Sequence, residues 1–189
     1  MRETNVLMAG FGGQGMLLAG KVLAHAAMRC GLEVSWLPSY GPEMRGGTAN
    51  VIVCLSEGPI ASPLVSRPEA LLAMNLPSLD RFEPKVAPKG TIVVNATLIA
   101  REPSRADCRF VRVDTRALAL KAGNERAANF VMLGAYVGAT DVLPAAAVEE
   151  AIAEEFREGK EQHIGTNVAA FRAGLASGAG SASAKEVHA

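Results

Sequence analysis

The chain has few cysteines, few aromatic residues and no excess of either charge. Its 189 residues include three cysteines, and aromatic residues make up 5%. Lys plus Arg equals Asp plus Glu, 19 each, so no net field favours nucleic acid or an anionic membrane. No apolar stretch reaches the ~20 residues that a bilayer-spanning helix needs. These absences predict a protein that binds neither nucleic acid nor membrane.

The number and spacing of the cysteines argue against a disulfide framework and against an iron–sulfur cluster held by this chain alone. Cys30, Cys54 and Cys108 are far apart, and no C-x-x-C pair is present. Their odd number argues against a disulfide framework, and a four-cysteine iron–sulfur cluster needs one thiolate more. The three histidines form no metal-ligand set. Because the first predicted strand begins at residue 5, no room is left for a signal peptide, and we expect a cytoplasmic protein.

A glycine-rich turn lies between a predicted strand and a predicted helix. The turn is Gly10-Phe11-Gly12-Gly13-Gln14-Gly15, between the apolar segment 5–9 and the amphipathic segment 16–30. Glycines let the backbone turn tightly and approach a ligand, and free N–H groups at a helix start attract anions. From the residues alone two uses stay open, namely contact with a ligand and close packing of helix against strand.

Dinucleotide-binding domains share this pattern, but an acidic residue that they use is missing here. An NAD site usually has this residue at the end of the second strand, where it holds the ribose hydroxyls. The second strand is predicted at 33–37; Glu33 stands at its beginning, and its end continues into Pro38-Ser39-Tyr40. A stand-alone nucleotide- or dinucleotide-binding α/β module is therefore the alternative function, not the main one.

Strands alternate with helices in the first two-thirds of the chain, and helices follow. Strands are predicted at 5–9, 33–37, 49–55, 71–75, 91–95 and 109–113. This order predicts a three-layer α/β domain with a mostly parallel sheet and C-terminal helices. Gly134 and Gly138 indicate a close approach between two helices. We expect one domain over residues 1–176, with a last helix at 168–176 and a disordered tail at 177–189.

The loop between the second and third strands also carries unusual residues. It reads Ser39-Tyr40-Gly41-Pro42-Glu43-Met44-Arg45-Gly46-Gly47-Thr48, with three glycines and a proline around one acid and one base. Glu43 and Arg45 would pair with each other or with partners across an interface. Ligands of such sheets bind beyond the carboxyl ends of the strands. If the first two strands are neighbours, both loops form one site.

The two loops at this spacing resemble the gamma subunit of 2-oxoacid:ferredoxin oxidoreductases. The later segment Asn129-Phe130-Val131-Met132-Leu133-Gly134-Ala135 looks like a helical segment of the same family, and the resemblance covers about residues 3–176. It implies a Rossmann-like domain within a multi-subunit enzyme that decarboxylates a 2-oxoacid oxidatively. Coenzyme A would capture the acyl group as a thioester, and electrons would pass to ferredoxin.

The resemblance also implies partners. Thiamine diphosphate and iron–sulfur clusters would belong to other subunits, of alpha, beta and delta type, and this chain would border the coenzyme A path. Surfaces that the partners normally cover would let the isolated chain self-associate. The loop at 39–48 is more like the 2-oxoglutarate and branched-chain types, which favours 2-oxoglutarate as the substrate, with 2-oxoisovalerate next.

Site residues follow as hypotheses. The turn at 12–15 would offer N–H groups to a phosphate of coenzyme A or to a carbonyl of a partner subunit. Glu43 is interpreted as an interface or loop-fixing residue rather than a general acid, and Asn129 either points toward the site or caps a helix. No catalytic residue or metal ligand is assigned. The predicted cofactor-binding residues are Gly10, Gly12, Gly13, Gln14, Gly15, Glu43, Arg45, Gly46, Gly47 and Asn129.

Overall fold

The computed structural model describes residues 3–40 and 48–183. Its strands are β1 (Glu3–Phe11), β2 (Glu33–Tyr40), β3 (Thr48–Ser56), β4 (Ala70–Ala73), β5 (Thr91–Asn95) and β6 (Arg109–Val113). Its helices are α1 (Met16–Arg29), α2 (Leu76–Phe82), α3 (Thr115–Lys121), α4 (Ala128–Thr140), α5 (Ala145–Glu155) and α6 (Ile164–Ser183). Short 3-10 segments lie at Glu83–Lys85, Glu125–Ala127 and Glu161–His163.

The strands form one sheet in the order β2-β3-β1-β4-β5-β6. β1, β4, β5 and β6 pair in parallel, whereas β3 is antiparallel to both of its neighbours. The other strands of the described chain therefore point one way, which confirms the mostly parallel α/β sheet. β1 and β2 are not neighbours, because β3 lies between them. Their carboxyl ends still lie at one edge, since the two strands share a direction.

Each face of the sheet is covered by a separate apolar cluster, which gives three layers. On one face Val6 and Met8 of β1 belong to a cluster that also includes apolar residues of α1, α4 and α5. On the other face Leu7 of β1 packs with Leu79 and Phe82 of α2. The central strands are buried on both sides, which explains why their sequences are continuous apolar runs rather than alternating ones.

Helices α4 and α6 pack with their backbones in contact. A Cβ atom on Gly134 would lie only 2.0 Å from the carbonyl oxygen of Phe171, and one on Gly174 only 2.0 Å from that of Val131. Gly138 and Gly178 are blocked in the same way, at 2.2 and 2.1 Å from backbone oxygens. The predicted close helix approach at Gly134 and Gly138 is confirmed, and α6 is the partner helix.

The last helix is longer than the sequence predicted. α6 runs from Ile164 to Ser183, so residues 177–183 are helical where a tail was expected. Asn167 lies inside this helix and is buried; its Oδ1 accepts a hydrogen bond from Asn124 Nδ2 at 3.3 Å. The single domain over 1–176 stays a prediction, and residues 184–189 lie outside the described part.

Candidate functional site

The glycine turn joins β1 to α1 at the carboxyl edge of the sheet. β1 ends at Phe11 and α1 begins at Met16, which confirms the predicted order of strand, turn and helix. Gly13 and Gly15 have φ angles of 93° and 77°, in the left-handed region that favours glycine. Gly15 is the N-cap of α1, and as a glycine it has no side chain that could accept a hydrogen bond from the first turn. The N–H groups of a first helical turn have no partner within the helix, so the turn presents donors to a ligand.

The side chain of Gln14 closes the turn. Its Oε1 accepts hydrogen bonds from the N–H of Phe11 at 2.7 Å and from Nδ2 of Asn75 at 2.9 Å. Asn75 is the N-cap of α2, and its Oδ1 accepts from the N–H of Ser78 at 3.0 Å. Nδ2 of Asn75 is therefore its donor toward Gln14. With Oε1 of Gln14 held by two donors, its Nε2 is the end left to donate to an acceptor atom of a ligand.

Close packing accounts for two of the motif glycines. Asn129 is 4% exposed, and its Nδ2 donates to the carbonyl of Gly15 at 3.2 Å. A Cβ on Gly15 would lie 2.7 Å from that same Nδ2. A Cβ on Gly10 would lie 2.8 Å from Oε1 of Gln14 and 3.0 Å from Cβ of Met74. These two glycines let the turn pack closely against its neighbours. Asn129 lies beside the turn, and its role toward a ligand stays a prediction.

Gly13 is different, because nothing lies within 4 Å of its Cβ position and the residue is exposed. Its contact face is open to a ligand. The structure thus brings together six of the predicted site residues, namely Gly10, Gly12, Gly13, Gln14, Gly15 and Asn129. The other predicted residues, Glu43, Arg45, Gly46 and Gly47, lie outside the described residues. The strand residue that follows them, Thr48, pairs with Phe11 at the end of β1.

Two cavities open on either side of the turn, and Gly13, Gln14 and Arg126 line both. The strand-side cavity, of about 470 Å³, is further lined by Met74, Asn95, Thr97, Thr115, Arg116 and Glu125. The helix-side cavity, of about 270 Å³, is further lined by Leu18, Asn124, Asn129, Phe130, His163 and Asn167. Together they have the size of a site for a small-molecule ligand that extends across the turn.

Asn95 forms the floor of the strand-side cavity. It is 2% exposed; its Nδ2 donates to the carbonyl of Met74 at 3.2 Å. Its Oδ1 accepts from the hydroxyl of Thr115 at 2.8 Å and from the N–H of Thr97 at 3.1 Å. These bonds engage the whole amide, so Asn95 shapes the cavity. The sequence offered a signal that was missed, because Asn75 and Asn95 stand at the carboxyl ends of buried strands.

Arg126 supplies positive charge where the two cavities meet. It is exposed, and its side chain has no hydrogen bond or ion pair with any residue in 3–40 or 48–183. Arg116, in contrast, pairs with Glu125 at 2.9 Å. Asp114 caps α3, and hydrogen bonds from the N–H of Ala117 and the hydroxyl of Thr97 lower its pKa. The arrangement of donors and one unpaired guanidinium suits an anion with several acceptor oxygens.

Two further features bear on the kind of site. Among the residues that the structure describes, no group of three or more His, Cys, Asp and Glu side chains could hold a metal ion. The same residues include no helix with both the length and the hydropathy needed to cross a bilayer.

Known proteins resemble this chain in sequence. Ketoisovalerate oxidoreductase subunit VorA of Methanothermobacter thermautotrophicus is 42% identical over 91% of the chain, which spans 36% of that relative. The 2-oxoglutarate synthase subunit KorC of Methanothermobacter marburgensis is 36% identical over 89% of the chain and 93% of its own length. The chain therefore covers about a third of the first relative and nearly all of the second.

A solved structure and a family match agree with these relatives. The crystal structure of the gamma subunit of a keto/oxoacid ferredoxin oxidoreductase from Geobacter sulfurreducens superposes with a TM-score of 0.80 at 29% identity. The match covers 93% of this chain and 98% of that one. Residues 5–177 match the family described as pyruvate ferredoxin/flavodoxin oxidoreductase. The chain belongs to the pyruvate ferredoxin/flavodoxin oxidoreductase family.

Proposed function

We propose that this chain is the gamma subunit of a 2-oxoacid:ferredoxin oxidoreductase. The observation that carries this proposal is the match to KorC, which extends over 93% of that subunit at 36% identity. The enzyme would cleave the 2-oxoacid to carbon dioxide and an acyl group, transfer the acyl group to coenzyme A, and pass two electrons to ferredoxin. Relatives of both the 2-oxoglutarate and the ketoisovalerate type exist. We propose 2-oxoglutarate as the first substrate to test, because the sequence of the loop at 39–48 favours it.

The redox groups of such an enzyme would belong to the partner subunits, of alpha, beta and delta type. The cysteines of this chain do not fit a four-thiolate cluster, because there are three of them and Cys54 and Cys108 are buried. Burial raises the pKa of both thiols, which disfavours the thiolate that a metal needs. The part assigned to this chain is therefore binding and positioning, in the cytoplasm, beside thiamine diphosphate and clusters held elsewhere.

The glycine turn is proposed to bind a phosphate of coenzyme A. Nε2 of Gln14, the first N–H groups of α1 and the guanidinium of Arg126 offer donors to one ligand. Coenzyme A carries several phosphates, which helix starts and arginine favour. A carbonyl of a partner subunit is the competing occupant. It would use the same N–H donors but would gain little from the charge of Arg126, which separates the two hypotheses.

Replacing Arg126 by glutamine should weaken the binding of coenzyme A without disturbing the fold. Arg126 is exposed and has no side-chain partner in the described ranges, so the free energy of unfolding should change by less than about 0.5 kcal/mol. Loss of a charge-assisted contact to phosphate should raise the KM for coenzyme A by about tenfold or more. The measurement is steady-state kinetics of the intact complex, varying coenzyme A and the 2-oxoacid separately.

Arg67→Gln is the matched control, since Arg67 is exposed and lies near the start of β4, at the opposite edge of the sheet. It should leave both KM values unchanged. If Arg126→Gln also leaves the KM for coenzyme A unchanged while the complex stays intact, the turn binds a partner subunit instead.

The proposed function is tested by purifying the tagged chain from its native host and assaying what elutes. Thiamine-binding and cluster-binding subunits should co-purify. The eluate should reduce a low-potential dye only when coenzyme A and a 2-oxoacid are both present, with 2-oxoglutarate and 2-oxoisovalerate supplied in turn. A chain that elutes alone and binds NAD or another nucleotide by itself would support the alternative, a stand-alone nucleotide-binding module.

A further inference from the structure

We propose a second small-molecule site at the opposite, amino edge of the sheet, built to hold a small aliphatic α-amino acid. A cavity of about 310 Å³ opens there between the starts of β1, β4 and β5 and the end of α4. The residues that carry the proposal are Thr4, Glu69, Lys89, Tyr136 and Val142. This site shares no lining residue with the glycine turn and does not rest on the proposed function.

The cavity wall is held rigidly by backbone contacts. The turn 87–90 is tied to the chain before β4 by hydrogen bonds from the N–H of Ala87 to Pro68 and from that of Thr91 to Glu69, each at 2.9 Å. A Cβ on Gly90 would lie 2.6 Å from the carbonyl oxygen of Glu69, so the two segments touch. The backbones that carry Glu69 and Lys89 are thus fixed relative to each other before any ligand binds.

An acid and a base line this cavity without pairing. Glu69 is positioned by Thr4, whose hydroxyl donates to Oε2 at 2.6 Å, and no ion pair of Glu69 is found within 3–40 or 48–183. The N–H of Lys89 donates to the backbone carbonyl of Asp107 at 3.0 Å, but the carboxylate of Asp107 is engaged by Arg105 at 2.6 Å. Lys89 likewise has no ion pair with a described residue. A zwitterion would satisfy both charges, with its ammonium on Glu69 and its carboxylate on Lys89.

Lys89 also stands in a conformation that lysine disfavours. Its φ is 63°. It occupies the third position of the turn 87–90, which is closed by a hydrogen bond from the N–H of Gly90 to the carbonyl of Ala87 at 3.0 Å. Glycine or asparagine is favoured at such a position, since a side chain there is strained. Strain of this kind points to a use for the side chain. Here that use would be to bring the amine of Lys89, which lines the cavity, to a ligand.

The volume and the remaining lining set the ligand class. The cavity lies at the lower limit of the range for ligand pockets, which fits a molecule of amino-acid size and excludes a whole nucleotide cofactor. Ala70 and Tyr136, which are almost fully buried, and the half-buried Val142 line the cavity together with Thr91 and Thr140. An aliphatic side chain would pack there while its charged end lies between Glu69 and Lys89.

The test uses isothermal titration of the purified full chain with L-leucine. L-leucine should bind saturably. N-acetyl-L-leucine, which lacks the ammonium, and 3-methylbutylamine, which lacks the carboxylate, should each bind about tenfold more weakly or worse, because each loses one charged contact. Absence of saturable binding, or equal affinity for all three compounds, would overturn the proposal.

Two variants assign the binding to this cavity. Glu69→Gln and Lys89→Gly should each lower the affinity for L-leucine by about tenfold or more. Lys89→Gly relieves the strained φ, so its melting temperature should be equal to or above that of the parent, and lost binding cannot be attributed to unfolding. Lys121→Ala, at the end of α3, is the control and should keep full affinity. Unchanged affinity in both cavity variants would place the binding elsewhere and contradict the assignment.

Discussion

Replacing Gly134 by alanine is expected to lower the melting temperature of the chain by roughly 10 °C, at a cost of about 3–5 kcal/mol in stability. The added Cβ would lie 2.0 Å from the carbonyl oxygen of Phe171 and 2.8 Å from the nitrogen of Leu175. Both of those atoms belong to the backbone of α6, so no side chain can rotate away to make room. The helices must separate, and their packing is lost.

The effect should reach the candidate site as well. Asn129 stands in the first turn of α4, and Asn167 on α6 lines the helix-side cavity. Separating the helices would move Asn129 away from Gly15, whose carbonyl it binds. We therefore expect Gly134→Ala to weaken coenzyme A binding in any complex that still assembles.

Gly165→Ala is the matched control for this substitution. Gly165 lies in α6 and is exposed, and its Cβ position has nothing within 4 Å. Alanine there should be neutral or stabilise the chain by up to about 1 kcal/mol, because glycine is the poorer helix former. Thermal unfolding of both variants, followed by circular dichroism, makes the comparison. A Gly134→Ala variant that melts with the parent would show that α4 and α6 are not in backbone contact.

Replacing Gly15 by alanine is expected to destabilise the chain by about 2–4 kcal/mol and to impair the site directly. Two causes add. Gly15 has a φ of 77°, which strains a side chain, and a Cβ would lie 2.7 Å from Nδ2 of Asn129. Asn129 is 4% exposed, so it has little room to move. Gly13→Ala, with a φ of 93° but open space around it, should show the cost of strain alone, about 1 kcal/mol.

A double-mutant cycle separates strain from contact at Gly15. Asn129→Ala alone should cost about 1 kcal/mol, since it removes the hydrogen bond to Gly15. In the variant that carries both substitutions the contacts with the amide of Asn129, at 2.7 and 2.9 Å, are gone, and a contact of 3.2 Å with the Cβ of residue 129 remains. The combined loss should therefore be smaller than the sum of the single losses by about 1 kcal/mol or more. Strict additivity would mean that Asn129 does not contact Gly15, and the site described above would be wrong.

Local patterns were enough to predict the parts of the fold that depend on neighbouring residues. The order of strand, glycine turn and helix over 5–30 followed from an apolar run, a glycine cluster and an amphipathic stretch. The spacing of Gly134 and Gly138 predicted a close helix contact, because a surface without side chains is of use only against another backbone. The antiparallel direction of β3 was not predicted, since nothing in its apolar sequence encodes that direction.

The glycines of the candidate site could be predicted from the sequence, but the hydrogen bonds that surround them could not. Gln14 was identified by its motif, but its bond to Asn75 joins residues 61 positions apart. Asn129 lies 114 positions from the glycine whose carbonyl it binds. Arg126 was missed because one exposed arginine among 19 basic residues has no local signature. Such contacts arise only when the sheet order brings distant segments to one edge.

The assignment of this chain as the gamma subunit is tested by omitting it from the assembled enzyme and then adding it back. The partner subunits would be purified without it and assayed for coenzyme A-dependent dye reduction with 2-oxoglutarate and with 2-oxoisovalerate. We predict that the partner subunits alone show little or no activity with either 2-oxoacid. Activity with one of the two should return when the purified chain is added, and it should saturate at a fixed molar ratio of the chain to its partners. Partner subunits that turn over at the full rate without the chain, or that never associate with it, would contradict its assignment as the gamma subunit.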